Sequence, residues 1–332
     1  MRYKVTLIEG DGIGPEVTGA TAEILEAAGA PVEWERVKAG QAAFDEVGDP
    51  LPASVIASIE RNRVGLKGPL GTPKGGGFRS ANVSLRQGLD LYTGWRPVQS
   101  LPGVKSRYSG IDLIVLRENT QGLYAGIEHE VTPGTIVSLK LSSREAGERI
   151  ARWAFEHAMQ KGRRKVTVCH KRSVLPLADG AFVDAFERVG AEYPFIQQEA
   201  RTLDDVAMGL VEDPHQFDVV LLQNLYGDII SDLCAGLVGG LGVVPGANVG
   251  ARVAVFEAVH GTAPDIAGQG VANPLAVLLS GCLMMEYIGE HRIAARVRDA
   301  VGTVLEAGKH VTRDLGGTAG TAEFTQAVIE EL

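Results

Sequence analysis

"LIEGDGIGPEV", residues 7–17, decides which kind of α/β fold this chain can adopt. An apolar run ends at Glu9, glycines follow at 10, 12 and 14, and Pro15 stands behind them. The pattern begins like the dinucleotide fingerprint G-x-G-x-x-G, whose third glycine lets a helix pack closely on its strand. Here that third position is Pro15, which suits the first turn of a helix instead. The fingerprint also wants an acid about 20 residues on to hold a ribose. Glu33 and Glu35 are near that distance, but both lie inside the alternating stretch "PVEWERV" and not at the end of a buried strand. The stretch reads as a tight strand-to-helix turn built on permissive glycine backbone. If a nucleotide binds, its main site is elsewhere.

Outward from that turn, strand-like and helix-like runs alternate. "KVTLIEG" leads into "PEVTGATAEILEAAG", where Val17, Ala20, Ile24 and Ala28 recur at helical spacing. "GIDLIVLREN", "KVTVCH" and "FDVVLLQN" read as buried strands, and "REAGERIARWAFEHAMQ" and "DGAFVDAFERVG" as amphipathic helices. This order predicts a mainly parallel sheet covered by helices. There is no internal repeat and no low-complexity tether, so any second domain is woven into the chain. "GPLGTPKGGG", residues 68–77, lacks the Gly-Lys-Ser/Thr ending of a P-loop.

Composition narrows the classes. The 332 residues are 45% apolar, enough for a large core. A net charge of −9 argues against a general nucleic-acid binder, and the one basic run, "KGRRK" at 161–165, reads as a solvated loop. Three cysteines without paired spacing, Cys169, Cys234 and Cys282, fit a reducing compartment. The longest apolar stretch, "PLAVLLSGCLMMEYIG", is too short to span a bilayer. The expectation is a cytoplasmic protein with no nucleic-acid or membrane partner.

Two groups of residues carry chemistry. In "NLYGDIISDL", residues 224–233, Asp228 and Asp232 are four apart and share one face of a helix. Such a pair is either two solvated acids favoured by a helix N-terminus or the oxygen ligands of a hard divalent cation. A third acid, Asp204, opens another helix in "TLDDVAMGLV". The second group is Arg79, Arg86, Arg96 and Arg117; Arg117 directly follows the apolar run "DLIVL". An arginine at the C-terminal end of such a strand points into a ligand crevice. Several guanidinium forks suit a substrate with several carboxylates, although surface ion pairs would leave the same composition.

Together with "RENTQGLYAGIEHE" (117–130) and "HGTAPDIAGQGVANP" (260–274), these stretches make the chain resemble the β-decarboxylating dehydrogenases, the isocitrate and isopropylmalate dehydrogenases, from "EGDGIGPEV" to its C-terminus. The resemblance implies the isocitrate/isopropylmalate dehydrogenase-like fold: two interwoven α/β domains around a mainly parallel sheet, not a Rossmann fold. The expected division is a large cofactor-side domain, 1–98 plus 250–332, and a small domain, 99–249, bearing the dimer interface and the metal aspartates. It also implies NAD and Mg²⁺ or Mn²⁺ as cofactors, a small tricarboxylate substrate, and a homodimer or higher homo-oligomer with shared active sites.

Carried over by residue, the resemblance makes Ser80, Asn82, Arg86, Arg96 and Arg117 the substrate-binding set. Tyr124 would protonate the product enol. Lys171, in "CHKRSV", would assist deprotonation of the substrate hydroxyl and be donated by the neighbouring protomer. Asp228 and Asp232 would hold the metal, with Asp204 reaching across from that same neighbour. Thr72 would lie near the nicotinamide, and His260, Gly261, Thr262, Ala263, Asp265, Ile266 and Asn273 would border the adenosine half. The glycine turn would be a structural loop beside the cofactor cleft.

"RSANVSLR", residues 79–86, resembles isocitrate enzymes, whereas isopropylmalate enzymes carry leucines there. Apolar groups would leave a third carboxylate unpaired, which is costly. Departures from the family pattern are Ser173 in place of asparagine, Gln121 in place of glutamate, and Gln223 before "NLYGD". "VLPL" at 174–177 resembles homoisocitrate enzymes. Three functions follow: an NAD-dependent isocitrate dehydrogenase, a relative acting on homoisocitrate or another malate-type acid, and a non-catalytic regulatory subunit.

Overall fold

The computed structural model describes residues 2–71 and 80–332. Along the chain run β1 (Tyr3–Ile8), α1 (Gly14–Ala27), β2 (Val32–Val37), α2 (Gln41–Val47), α3 (Ala53–Asn62), β3 (Val64–Lys67) and α4 (Ala81–Gly88). Then come β4 (Thr93–Gln99), β5 (Asp112–Glu118), β6 (Gly122–Thr132), β7 (Thr135–Leu141), α5 (Arg144–Gln160), β8 (Lys165–His170), α6 (Ala178–Gly190), β9 (Gln197–Thr202), α7 (Leu203–Glu212), β10 (Val219–Leu222) and α8 (Asn224–Val238). The chain closes with β11 (Ala247–Val249), β12 (Ala254–Glu257), α9 (Leu275–Tyr287), α10 (His291–Ala307) and α11 (Thr321–Glu330).

Two compact units share these elements. The first comprises Met1–Leu91, Gln99–Gly110 and Ala235–Leu332; the second comprises Tyr92–Val98 and Ile111–Cys234. The chain passes from one to the other several times, so they are interwoven. The boundaries fall differently from the expected 99–249 small domain. Strand β4 belongs with the second unit, next to β5, while the loop 99–110 and residues 235–249 belong with the first.

In the first unit the strand order is β2-β1-β3-β12-β11. β2, β1, β3 and β12 run parallel, and only β11 pairs antiparallel with its neighbour. The apolar run of β1 suits its place between β2 and β3: Val5, Leu7 and Ile8 are fully buried. Pro15 stands in the first turn of α1, as its fixed φ favours, and Val17, Ile24 and Leu25 point inward. α9, apolar on every face, is buried from Leu275 to Met285. Among the described residues no helix is long and apolar enough to cross a membrane.

The second unit has the order β4-β5-β10-β8-β9, with β5, β10, β8 and β9 parallel. "VVLL" in β10 is wholly buried, as expected of a parallel strand covered on both faces. α5 and α6 lie where helical spacing predicted them and turn Ile150, Phe155, Phe182 and Phe186 into the core. β6 and β7 stand apart as an antiparallel hairpin whose strands are mostly exposed. Leu123, Val131, Ile136 and Leu139 of that hairpin face outward.

Candidate active site

The glycine turn is structural. Gly12 has φ +60°, and a Cβ there would lie 2.0 Å from the carbonyl oxygen of Thr262. Ile13 N–H donates to that same oxygen at 2.9 Å. Asp11 ties the turn to its surroundings by accepting from the backbone of Gln41 and Gly71 at 2.8 and 2.7 Å. Glu16, in the first turn of α1, accepts from the backbone of Ala272 at 2.8 Å and from the Thr321 hydroxyl. The turn thus supports the segment 260–272.

Beside it in the first unit is a cleft of about 1010 Å³. Of the expected cofactor residues, His260, Gly261, Ala263, Ile266 and Asn273 line it. Thr262 props the glycine turn instead, and Asp265 is exposed on the short turn Pro264–Ile266. Thr72 lies outside the described residues. Ala263 has φ +40°, a conformation costly for a residue with a Cβ and typical of binding loops. The Nε2 of His260 is buried with no partner among the described residues, and burial lowers the pKa of its ring. Asn273 is occupied: it accepts from Leu275 N–H at 2.9 Å and donates to Asp314 at 2.9 Å. Arg313 and Asp314 also line the cleft and were missed; their only signal was the glycine-rich "DLGGTAG" beside them.

Three of the expected substrate residues are in the same unit. Ser80 opens α4, and Asn82 donates to the carbonyl of Leu70 at 3.2 Å. Arg86 donates to Glu257 at 2.8 Å, and Lys67 pairs with the same carboxylate at 2.5 Å. Asn248 adds a third bond to Glu257 at 2.6 Å. Burial alone would raise the Glu257 carboxyl, but the Lys67 and Arg86 charges hold it well below the usual range. The Asn82 Oδ1 and the Arg86 Nε are buried without partners among the described residues.

The second unit gathers the other group. Arg117, at the end of β5 and 1% exposed, reaches Asn224 through Nε and a terminal nitrogen at 2.9 and 2.7 Å. Its remaining terminal nitrogen bonds Asp228. Gly227 permits this approach, since a Cβ there would meet the Arg117 side chain at 2.7 Å. The Tyr124 hydroxyl donates to Asp228, and the Arg117 guanidinium lies 4.9 Å from the Tyr124 ring centre. Arg96 bonds Ser231 and lies 3.8 Å from Asp228 and 3.9 Å from Asp232. Burial, and then the Asp228 charge, keep the Tyr124 phenol protonated beyond its ordinary range. Burial also raises the Asp232 carboxyl; Arg96 opposes that, and Asp228 adds to it.

Asp228 and Asp232 suit a hard divalent cation. They offer carboxylate oxygens from successive turns of α8 in a partly dehydrated place, where neighbouring anions repel until a cation sits between them. Among the described residues no three His, Cys, Asp or Glu gather into a cage. Asp204, on the first turn of α7, pairs with Lys171 instead.

The departures have local reasons. The Gln121 amide donates to the Ser143 hydroxyl and accepts from Ser143 N–H, both at 2.8 Å, which closes the base of the β6–β7 hairpin. Gln223 reaches the Ala178 carbonyl at 3.3 Å. Ser173 is exposed, and Arg172 beside it pairs with Asp184 at 3.2 Å.

The family profile described as isocitrate/isopropylmalate dehydrogenase matches residues 4–328. The isocitrate dehydrogenase (NAD) catalytic subunit 5, mitochondrial, of Arabidopsis thaliana is 46% identical, covering 98% of this chain and 88% of its own. A mitochondrial isocitrate dehydrogenase (NAD) regulatory subunit of Dictyostelium discoideum is also 46% identical, over 99% and 92%. The crystal structure of isocitrate dehydrogenase from Methylococcus capsulatus superposes with a TM-score of 0.96 at 46% identity, covering 100% of this chain and 99% of that one. These relatives correct one expectation. The cytoplasmic placement is overturned, because the curated relatives are mitochondrial proteins by name. Sparse, unpaired cysteines report a reducing environment and cannot tell one such compartment from another. In its fold and over nearly its whole length, the chain belongs to the isocitrate/isopropylmalate dehydrogenase family.

Proposed function

We propose that the chain catalyses the NAD- and divalent-metal-dependent oxidative decarboxylation of isocitrate to 2-oxoglutarate and CO₂, as a homodimer or higher homo-oligomer with shared sites. The observation that carries this reading is the cluster on α8: a protonated Tyr124 bonded to Asp228, one turn from Asp232, with Arg117 and Arg96 beside them. A regulatory relative could dispense with this set, and the chain keeps all of it together with Lys171.

Asp228 and Asp232, with Asp204 from a second protomer, would hold Mg²⁺ or Mn²⁺, which would supply Lewis-acid polarisation of the substrate oxygens, and NAD would supply the hydride acceptor. Arg96 and Arg117 would hold substrate carboxylates through charged hydrogen bonds, and the resemblance gives Ser80, Asn82 and Arg86 the same task. Lys171 assists removal of the hydroxyl proton as the alcohol is oxidised. Tyr124 Oη then delivers a proton to the enol carbon left by CO₂, a task for which its protonated state is suited. The hairpin's exposed apolar residues and the outward-facing Leu177 and Ile229 support association with a second copy.

Asp265 and Ile266 favour NAD. An anion near the adenosine ribose repels a 2′-phosphate, and Ile266 offers it no bond. With screening by water and salt, a preference of roughly 10²-fold in kcat/KM over NADP is expected. Asp265→Lys with Ile266→Tyr is expected to narrow it.

The test is an assay of the purified chain alone. Isocitrate-dependent reduction of NAD is expected, faster than that of NADP. The Dictyostelium relative favours a second reading, a regulatory role beside a catalytic chain. Isocitrate binding without turnover would establish that one.

A further inference from the structure

Asp179 is an acid in the first turn of α6, and nothing in the sequence sets it apart, yet its carboxylate is completely buried. One oxygen accepts from the Lys140 ammonium of β7. The other accepts from the backbone N–H of Lys171 at 2.6 Å. Lys140 also donates to the Tyr226 hydroxyl at 3.2 Å and lies 4.4 Å from that ring's centre. Tyr226 is two residues before Asp228 on α8. One buried carboxylate therefore joins the end of the hairpin, the start of α8 and the loop that carries Lys171.

The surroundings tighten the same seam. Ser142, just after β7, donates to the Ala178 carbonyl at 2.8 Å. The Lys171 carbonyl accepts from Val174 and Leu175, both at 2.9 Å. With Asp179 on its N–H, Lys171 has both backbone groups fixed, and its side chain pairs with Asp204. On the hairpin, Gly122 pairs with Leu141, so Lys140 sits near the base from which Tyr124 is held.

Stability alone does not explain the arrangement. A buried ion pair costs desolvation that its attraction barely repays, and apolar side chains of similar size commonly serve as well. What a charged, directional pair adds is a fixed register between the elements that it joins.

We propose that Asp179 is a positioning residue: through Lys140 it sets the hairpin that carries Tyr124, and through the Lys171 N–H it sets the loop that presents Lys171. The proposal rests on the roles given above to Tyr124 and Lys171 in isocitrate oxidation. It holds the supports of the two proton-transferring residues to one anchor, so that disturbing either end is felt at the other.

The experiment is amide hydrogen exchange combined with steady-state kinetics on the full-length oligomer carrying Lys140→Met, with Lys140→Arg as the conservative control. Lys140 touches the carboxylate and not Lys171. Even so, Lys140→Met is expected to speed exchange at the Lys171 amide by about 10-fold. It is also expected to lower kcat by roughly 10- to 10²-fold with KM for isocitrate within about 3-fold, the signature of misplaced reacting groups. Lys140→Arg is expected to recover most of both. If Lys140→Met does not fold, Asp179→Asn takes its place. It keeps an oxygen for the Lys171 N–H and loses the charge that holds Lys140, so it is expected to speed exchange at residues 139–142. Unchanged exchange at the far end overturns the proposal, and so does faster exchange with unchanged kcat. If the wild-type chain does not turn over isocitrate, the catalytic reading fails by itself, and the exchange measurement still decides whether the two ends are coupled.

Discussion

Tyr124→Phe protein and Lys171→Met protein are each expected to oxidise isocitrate with kcat lowered roughly 10²- to 10⁴-fold, and to recover activity when mixed under conditions that exchange protomers. The loss is the usual worth of a positioned acid or base. The recovery follows from the geometry of a shared site. Within one chain Tyr124 bonds Asp228, whereas Lys171 pairs with Asp204. If Lys171 and Asp204 complete the partner's site, a hybrid dimer has one site with both defects and one with neither. Random exchange makes about half of the dimers hybrids, so about a quarter of wild-type activity returns. If each chain builds its own site, every site in the hybrid keeps one defect and nothing returns. No recovery, with hybrids demonstrated by native mass spectrometry, would refute sharing.

Chelation is expected to remove activity while leaving the fold in place. Lewis-acid stabilisation of developing charge is worth several kcal/mol, so EDTA is expected to slow turnover on the order of 10³-fold, with Mn²⁺ or Mg²⁺ restoring it. The fold survives because Arg117 and Arg96 already stand against the α8 carboxylates and offset their repulsion. Asp232→Asn is expected to raise the metal concentration needed for half-maximal rate and to change the melting temperature little, since Arg96 approaches Asp232 no closer than 3.9 Å. Full activity in EDTA, with metal content verified below one ion per site, would contradict the assignment.

Much of the fold was legible because it depends on local pattern. The short apolar runs "DLIVL" and "VVLL" read as buried strands and are strands, and the 3.6-residue spacing of α5 and α6 fixed their inner faces. The four-residue interval between Asp228 and Asp232 survives folding because it is set by one helical turn. What the sequence hid depends on distant partners. Arg86 finds Glu257 across 171 residues, and Arg117 finds Asn224 across 107. No spacing rule links such pairs. Asp179 looked like any acid favoured by a helix N-terminus, and only burial marks it out. The unit boundaries depend on distant contacts too: strand β4 falls in the second unit with β5, which its own composition does not announce. The family resemblance supplied the site residues that local chemistry could not.

The most direct test of the account is kcat/KM of the purified chain for isocitrate, homoisocitrate and isopropylmalate, with saturating NAD and Mg²⁺. The Ser80 and Asn82 end of α4 and the buried Arg86 Nε, which has no partner among the described residues, are suited to a short third carboxylate. An apolar group there leaves those polar atoms unpaired, and a longer acid displaces the others. The account predicts the highest value for isocitrate, by roughly 10²-fold or more over isopropylmalate. A higher value for homoisocitrate or for isopropylmalate would contradict it.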